Sequence, residues 1–313
     1  MAVPVLRCKT CALQALVRGT GTAYPGDMSQ MPSPLLCLGA TSLIGGALWA
    51  LPDRPRLIGV SRRPPPEGVA PGDRWITADL GDPAPLPVRE VETALGLAPI
   101  WVVAPAVDRL ARAGITRIVA FSSTSRWTKA RSADDAEREI ADRLARSEDA
   151  FITACDRAGI GWTLLRPTLI YREGQDGNVS RLAGLARRFG VIPLAGTGAG
   201  LRQPVHAQDL ARGALAVLDH PATLGRAYDL PGGETLSYRT MVERVFEGLG
   251  RRPVVLSVPP QLWRAGFAVA GRFLPGANAQ MGARMEADLT FDAGPAERDF
   301  NWRPRDFRPR FPA

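Results

Sequence analysis

The segment Pro34-Leu35-Leu36-Cys37-Leu38-Gly39-Ala40-Thr41-Ser42-Leu43-Ile44-Gly45-Gly46 constrains the rest of the chain most. An apolar run stops at a turn of small residues, and a second apolar run resumes at once. That order predicts a buried strand, a tight turn and the start of a helix. Gly39 lets the chain turn without a Cβ clash, and Gly45 lets the helix sit close on the strand. The amino end of that helix, with free N–H groups and a positive dipole, then faces open space where a pyrophosphate fits. The spacing is Gly39-x-x-Ser42-x-x-Gly45, with Ser42 where such loops usually have glycine. Alone, the pattern equally suits a strand–turn–helix with no ligand.

The whole chain of 313 residues, 45% hydrophobic, is long enough for one large domain or one and a half. Its net charge of +8 is carried mainly by arginine. No block of like charges occurs and no basic run is interleaved with aromatics, which argues against nucleic-acid binding. Cys8-x-x-Cys11 has no second Cys or His pair at ligand spacing, so no metal site is expected, and Cys37 and Cys155 lie in apolar patterns as inert core thiols. No segment reaches the length of a membrane span and no apolar stretch near the start is followed by a cleavage site, so the chain reads as cytoplasmic. Residues 1–33 lack periodicity and read as a disordered leader.

After the glycine turn, Leu43 to Leu51 predicts a helix stopped by Pro52. Strands are expected at 56–60, 75–78, 100–104, 117–121 and 162–165, with a crossover helix over 107–113. A long helix spans Asp134 to Ala158, opened by acidic residues, stopped by Gly159, and placing Ile140, Leu144, Phe151, Ile152 and Cys155 near one face. Further helices are expected at 178–189, 207–218 and from Ser237 to Gly250, with strands at 227–230 and 254–258. Gln261–Leu274 and Ala277–Asp288 read as amphipathic helices, and the Phe300–Phe311 tail as irregular surface chain. Strands that are continuously apolar and alternate with helices predict an α/β fold with a doubly wound parallel sheet.

Several motifs in order carry a family resemblance. They are the Gly39–Gly45 turn, Asp79-Leu80, Ser122-Ser123-Thr124, Thr163-Leu164-Leu165-Arg166-Pro167-Thr168-Leu169-Ile170-Tyr171, Gln203-Pro204-Val205-His206-Ala207-Gln208-Asp209-Leu210-Ala211, Phe291-Asp292 and Trp302-Arg303-Pro304-Arg305. From about Leu35 to Pro309 the chain resembles an extended or atypical short-chain dehydrogenase/reductase of the NAD(P)-dependent epimerase/dehydratase branch, whose members often act on nucleotide sugars. The resemblance implies a Rossmann domain over 34–172, re-entered around 203–230, with 173–202 and 231–313 forming a smaller substrate-side domain. It places the pyrophosphate over Gly39, Thr41, Ser42, Leu43, Ile44 and Gly45, and the adenine beside Asp79 and Leu80. Ser122, Pro167 and Thr168 would line the rest of the cofactor, and Thr124, Arg202 and His206 the substrate. No oligomeric state follows.

Two departures stand out. NAD-preferring members end the second strand in a carboxylate, whereas this chain has Val60-Ser61-Arg62-Arg63. Guanidinium groups there suit the 2′-phosphate of NADP, with NAD the alternative, although two solvated charges would read the same way. The family also transfers protons with Ser and a Tyr-x-x-x-Lys pair. Ser123 matches the Ser, but if Glu148 takes the place of the Glu that commonly follows the pair, the Tyr and Lys positions fall on Ile140 and Leu144. The remaining proton-transfer candidates are Lys129 and Tyr171. Lys129 also reads as a loop charge, Tyr171 as a packing residue and His206 as a helix cap. The expectation is an NADP-dependent epimerase-like oxidoreductase with an atypical site. The rival is a catalytically silent dinucleotide-binding sensor or scaffold, and a third reading, a peripheral membrane or polyanion-associated subunit, rests only on charge and the Trp263, Phe267, Phe273 helix, which also reads as a lid or core element.

Overall fold

The computed structural model describes residues 34–65, 72–89, 91–259, 261–263 and 280–312. Its strands in chain order are β1 (Leu35–Leu38), β2 (Leu57–Ser61), β3 (Arg74–Thr77), β4 (Thr93–Gly96), β5 (Arg117–Phe121), β6 (Gly161–Pro167), β7 (Ile170–Tyr171), β8 (Ile192–Ala195), β9 (Leu201–Arg202), β10 (Val205–His206), β11 (Arg226–Leu230), β12 (Leu236–Ser237) and β13 (Val255–Val258). The helices are α1 (Leu43–Trp49), α2 (Ile100–Val103), α3 (Val107–Arg112), α4 (Ser125–Thr128), α5 (Asp135–Ala158), α6 (Val179–Phe189), α7 (Ala207–Leu218) and α8 (Tyr238–Gly248), followed by Gln280–Glu286 and Gly294–Phe300.

Seven strands form one sheet in the order β11-β6-β5-β4-β1-β2-β3, and every pairing in it is parallel. The order reverses between β1 and β4, the switch point where open α/β sheets gather ligands at their carboxyl edge. Helices cover both faces, as a parallel sheet requires. On one face Leu35, Cys37, Leu95, Phe121 and Leu165 pack under α1, α7 and Gly294–Phe300. On the other, Leu36, Leu38, Val60, Ile118 and Leu164 pack under α2, α3 and α5. Two smaller apolar clusters lie beyond the sheet, one built on Tyr171, Val179, Met241 and Phe307, the other on Ile192, Leu194, Phe246 and Met285.

The long helix starts and stops where its caps say. Asp134 accepts from Ala136 N and Glu137 N at 2.9 and 3.3 Å, and Gly159 ends the helix at φ 68°. Leu144, Phe151 and Cys155 are buried, but Ile140 is 40% exposed and does not belong to the inner face.

The expected fourth strand is also corrected. Ile100–Val103 is helix α2, and the strand is Thr93–Gly96. Pro99 sits at the helix cap, and its carbonyl accepts from Val102 N at 2.8 Å. Small residues occupy this central strand because α2 lies directly on it: a Cβ on Gly96 would meet Val103 Cγ1 at 3.0 Å. The tail differs too. It has no regular structure, yet Trp302 and Phe307 are buried, and Gly294–Phe300 precedes it as an unexpected helix. Leader residues 1–33, with Cys8 and Cys11, lie outside the described residues, as do 264–279, which carry Phe267 and Phe273 of the expected amphipathic helices.

Candidate functional site

The site is built at the carboxyl edge around the switch point. Gly39 leaves β1 at φ +84°, and a Cβ there would lie 2.6 Å from Ala98 N, so the turns after β1 and β4 touch. Gly39 N and Ala40 N both bond to Val60 O, which draws the turn toward the end of β2. Ser42 caps α1, its Oγ accepting from Gly45 N at 3.0 Å. Thr41, Ser42 and Leu43 are half-buried, Ile44 and Gly45 buried.

At the end of β2, Ser61 is buried, with its Oγ 3.0 Å from Thr41 Oγ1 and accepting from Arg63 N at 3.1 Å. Trp75 Nε1 bonds to Arg63 O, so the backbone after β2 is held while the Arg62 and Arg63 side chains are exposed. Neither forms an ion pair with a described residue. Beyond β3, exposed Asp79 accepts from Gly81 N at 2.9 Å, and buried Leu80 offers its carbonyl to Arg109.

After β5 the three hydroxyls diverge. Ser122 donates to Glu148 Oε1, and Thr124 Oγ1 donates to Pro167 O at 3.1 Å; both are held by the scaffold. Ser123 Oγ accepts from Ser125 N at 3.1 Å, and its own hydrogen has no acceptor among the described residues. Ser123 is therefore the hydroxyl of this trio left to donate outward. Half-buried Lys129 ends α4, and its amine bonds to no described residue.

The remaining sequence candidates are held within the scaffold as follows. Tyr171 is 1% exposed and edge-on to His206 and Phe307, with ring centroids 5.0 and 4.9 Å away. Burial pushes its phenol well above the ordinary tyrosine range. His206 caps α7, with Nδ1 accepting from Gln208 N at 3.1 Å and Nε2 3.2 Å from Glu173 Oε2. Arg202 is buried and donates to the carbonyls of Leu201, Arg284 and Ala287; burial lowers its pKa. Thr168 Oγ1 donates to Gln203 O, and Pro167 is buried. Leu144 is packed in the core and Ile140 faces solvent.

A cluster the sequence reading did not assemble stands beside Ser123. The fully buried Glu148 carboxylate takes Ser122, Arg126 and Arg166 together, the last by Nε and by NH2 at 2.7 Å. Both guanidinium groups lie over the Trp127 ring, at 4.8 and 5.5 Å. Its signal was an acidic residue on the inward face of α5, where an unpaired carboxylate would be costly. Among the described residues no group of three or more His, Cys, Asp or Glu is arranged to hold a metal, and no helix is long and apolar enough to cross a membrane.

No family profile matches the chain. Among curated proteins, it is 27% identical over 86 residues to NADH dehydrogenase [ubiquinone] 1 alpha subcomplex subunit 9, mitochondrial, of Dictyostelium discoideum; that stretch is 28% of this chain and 24% of the relative. The fold is that of MoeE5 in complex with UDP-glucose and NAD, with TM-score 0.65 and 21% identity over 88% of this chain and 94% of the other. It is equally that of a UDP-glucose 4-epimerase from Thermotoga maritima with UDP-glucose, with TM-score 0.63 and 14% identity over 87% and 94%.

Proposed function

We propose that this protein is an NAD(P)-dependent oxidoreductase of the epimerase/dehydratase kind, acting on a nucleotide sugar or a related carbonyl or hydroxyl substrate. The observation that carries the reading is the glycine turn at the switch point with an outward-donating Ser123 two strands away. The same fold holds NAD and a UDP-sugar in MoeE5. The chain fits a dinucleotide: Thr41, Ser42 and Leu43 present an open half-buried face over the turn, and Arg62 and Arg63 stand exposed where the adenosine ribose would end. Those two guanidinium groups, in ion pairs with no described residue, favour NADP over NAD through charge-assisted bonds to the 2′-phosphate.

The nicotinamide, when bound, supplies the hydride acceptor or donor. Ser123 orients the substrate oxygen, donating its free hydrogen to a carbonyl or a developing alkoxide. Its lone pair held by Ser125 N keeps that hydrogen pointing away from the loop. Lys129, half-buried at the end of α4 and bonded to no described residue, is the sequence candidate best disposed to move a proton. Tyr171, enclosed and with its phenol raised by burial, holds the wall. General acid–base help is worth about a hundred- to ten-thousand-fold, so a site lacking the Tyr/Lys pair turns over slowly.

A second reading, a catalytically silent dinucleotide-binding sensor or scaffold, draws on the sequence: aligned on Glu148, the proton-transfer positions fall on Ile140 and Leu144. Its support is the 86-residue likeness to an NADH dehydrogenase [ubiquinone] 1 alpha subcomplex subunit. Calorimetric titration with NADPH and NADH tests the part that both readings share. NADPH should bind the tighter, and Arg62→Ala should narrow the gap. Equal affinities would remove the NADP preference, and binding of neither would remove the function.

A further inference from the structure

We propose that Arg172 is a phosphate ligand, its guanidinium holding the pyrophosphate of the bound dinucleotide against the glycine turn. The inference rests on the dinucleotide reading above and assigns a residue to it from outside the Gly39–Gly45 segment.

Two features meet at this place. The first is Ser42. Because its Oγ accepts from Gly45 N at 3.0 Å, one N–H of the turn is already engaged inside the protein. A glycine at 42 would leave that donor free for a ligand oxygen. The turn as built therefore offers fewer backbone donors to a dianionic pyrophosphate. The second is Gly46. Its missing side chain leaves room that Arg172 occupies: a Cβ on Gly46 would lie 2.8 Å from Arg172 NH1. A guanidinium thus stands over the first turn of α1, beside the residues that would face the pyrophosphate.

The arm that carries Arg172 is firmly held. Its backbone N donates to Asp176 Oδ2 at 3.2 Å, and its carbonyl accepts from Gln175 N, Asp176 N and Ser180 Oγ. The preceding residue, Tyr171, is sealed in the core. The head of the side chain is not matched in the same way. No described carboxylate or carbonyl accepts a hydrogen bond from the guanidinium.

The acidic residues near it are occupied elsewhere. Glu173 takes His206 through Oε2 and Arg310 N through Oε1. Asp176 takes Arg172 N, Asn178 N and Ser180. Burial lowers the Arg172 pKa, with Glu173 opposing, so part of the water round the charge is already removed. A half-desolvated guanidinium with open donors is suited to a phosphate oxygen pair, which it grips with parallel N–H bonds.

Titration of the full chain with NADPH, NADH and adenosine 2′-monophosphate tests the assignment. The last ligand keeps the adenine, ribose and 2′-phosphate and lacks the pyrophosphate. Arg172→Gln should weaken NADPH by about ten- to a hundredfold, since bonds to charged groups carry that range. It should leave adenosine 2′-monophosphate unchanged and lower the salt dependence of NADPH binding. Arg172→Lys should recover part of the loss, and Gly46→Ala should reproduce part of it by pushing the guanidinium aside. Melting curves separate these effects from misfolding, and Arg172→Lys with Gly46→Ala decides the matter should Arg172→Gln not fold. An unchanged NADPH affinity, or an equal loss for both ligands, would overturn the role of Arg172 and leave the dinucleotide reading standing. An unmutated chain that binds neither dinucleotide would overturn both.

Discussion

Ser122 donates its hydroxyl hydrogen to Glu148 at 2.5 Å, which ties the end of β5 to the middle of α5. Through Arg126 the same carboxylate holds α4, and through Arg166 it holds β6. The loop that presents Ser123 is thus fixed from three sides by one buried anion. Asp229, next to Arg166 across β6 and β11, lies 3.9 Å from that guanidinium, and burial raises its pKa.

Glu148→Ala should therefore cost stability well beyond an ordinary side-chain truncation. Removing one partner of a buried ion cluster leaves the other charges uncompensated, typically costing about 3–5 kcal/mol. Urea unfolding gives the number. A loss under about 1 kcal/mol would place the two arginines in water and not on this carboxylate.

The tail should be part of the core. Trp302 packs against Ala296, Phe300 and the α7 face, and its Nε1 donates to Pro231 O at 3.0 Å. Trp302→Ala should cost about 3–5 kcal/mol by cavity formation. Calorimetric melting measures it, and an unchanged melting temperature would return the tail to the surface.

Much of this was legible in the sequence where a local signal names its own partner. Asp134 and Gly159 bracket α5 because an N-cap and a left-handed stop act on their own helix. Gly39 announces its turn in the same way. The strand at Thr93–Gly96 was hidden because its residues are small, while β-branched Ile100–Val103 next door looks more strand-like. The choice was made by tertiary packing of Val103 onto Gly96. At the candidate site, Ser123 and the two arginines after β2 are candidates by position alone. Glu148 with Arg126 and Arg166, and Arg172 with Gly46, could not, since each pairing joins segments far apart in the chain. His206 left cap and substrate roles open on sequence; its Nδ1 bond to Gln208 N gives it the cap.

Stability should fall on the acid side partly through Glu173. Burial alone would raise its pKa, but bonds from His206 and Arg310 N outweigh that and hold the carboxyl below the ordinary range. A depressed folded value means the contribution is present above the unfolded pKa and is lost as pH falls through the folded one. Melting temperature followed from about pH 6 down to about pH 3 should drop more steeply for the unmutated chain than for Glu173→Gln, the two converging at the acid end. Parallel curves would mean that Glu173 titrates alike folded and unfolded.

Loss of NADPH absorbance on mixing the NADPH-loaded protein with a panel of 4-keto nucleotide sugars tests the central claim most directly. Slow oxidation is expected with at least one sugar, reduced strongly by Ser123→Ala and unaffected by Ile140→Ala. A protein that binds NADPH and oxidises it with none of the panel would contradict the enzyme reading and favour the silent scaffold.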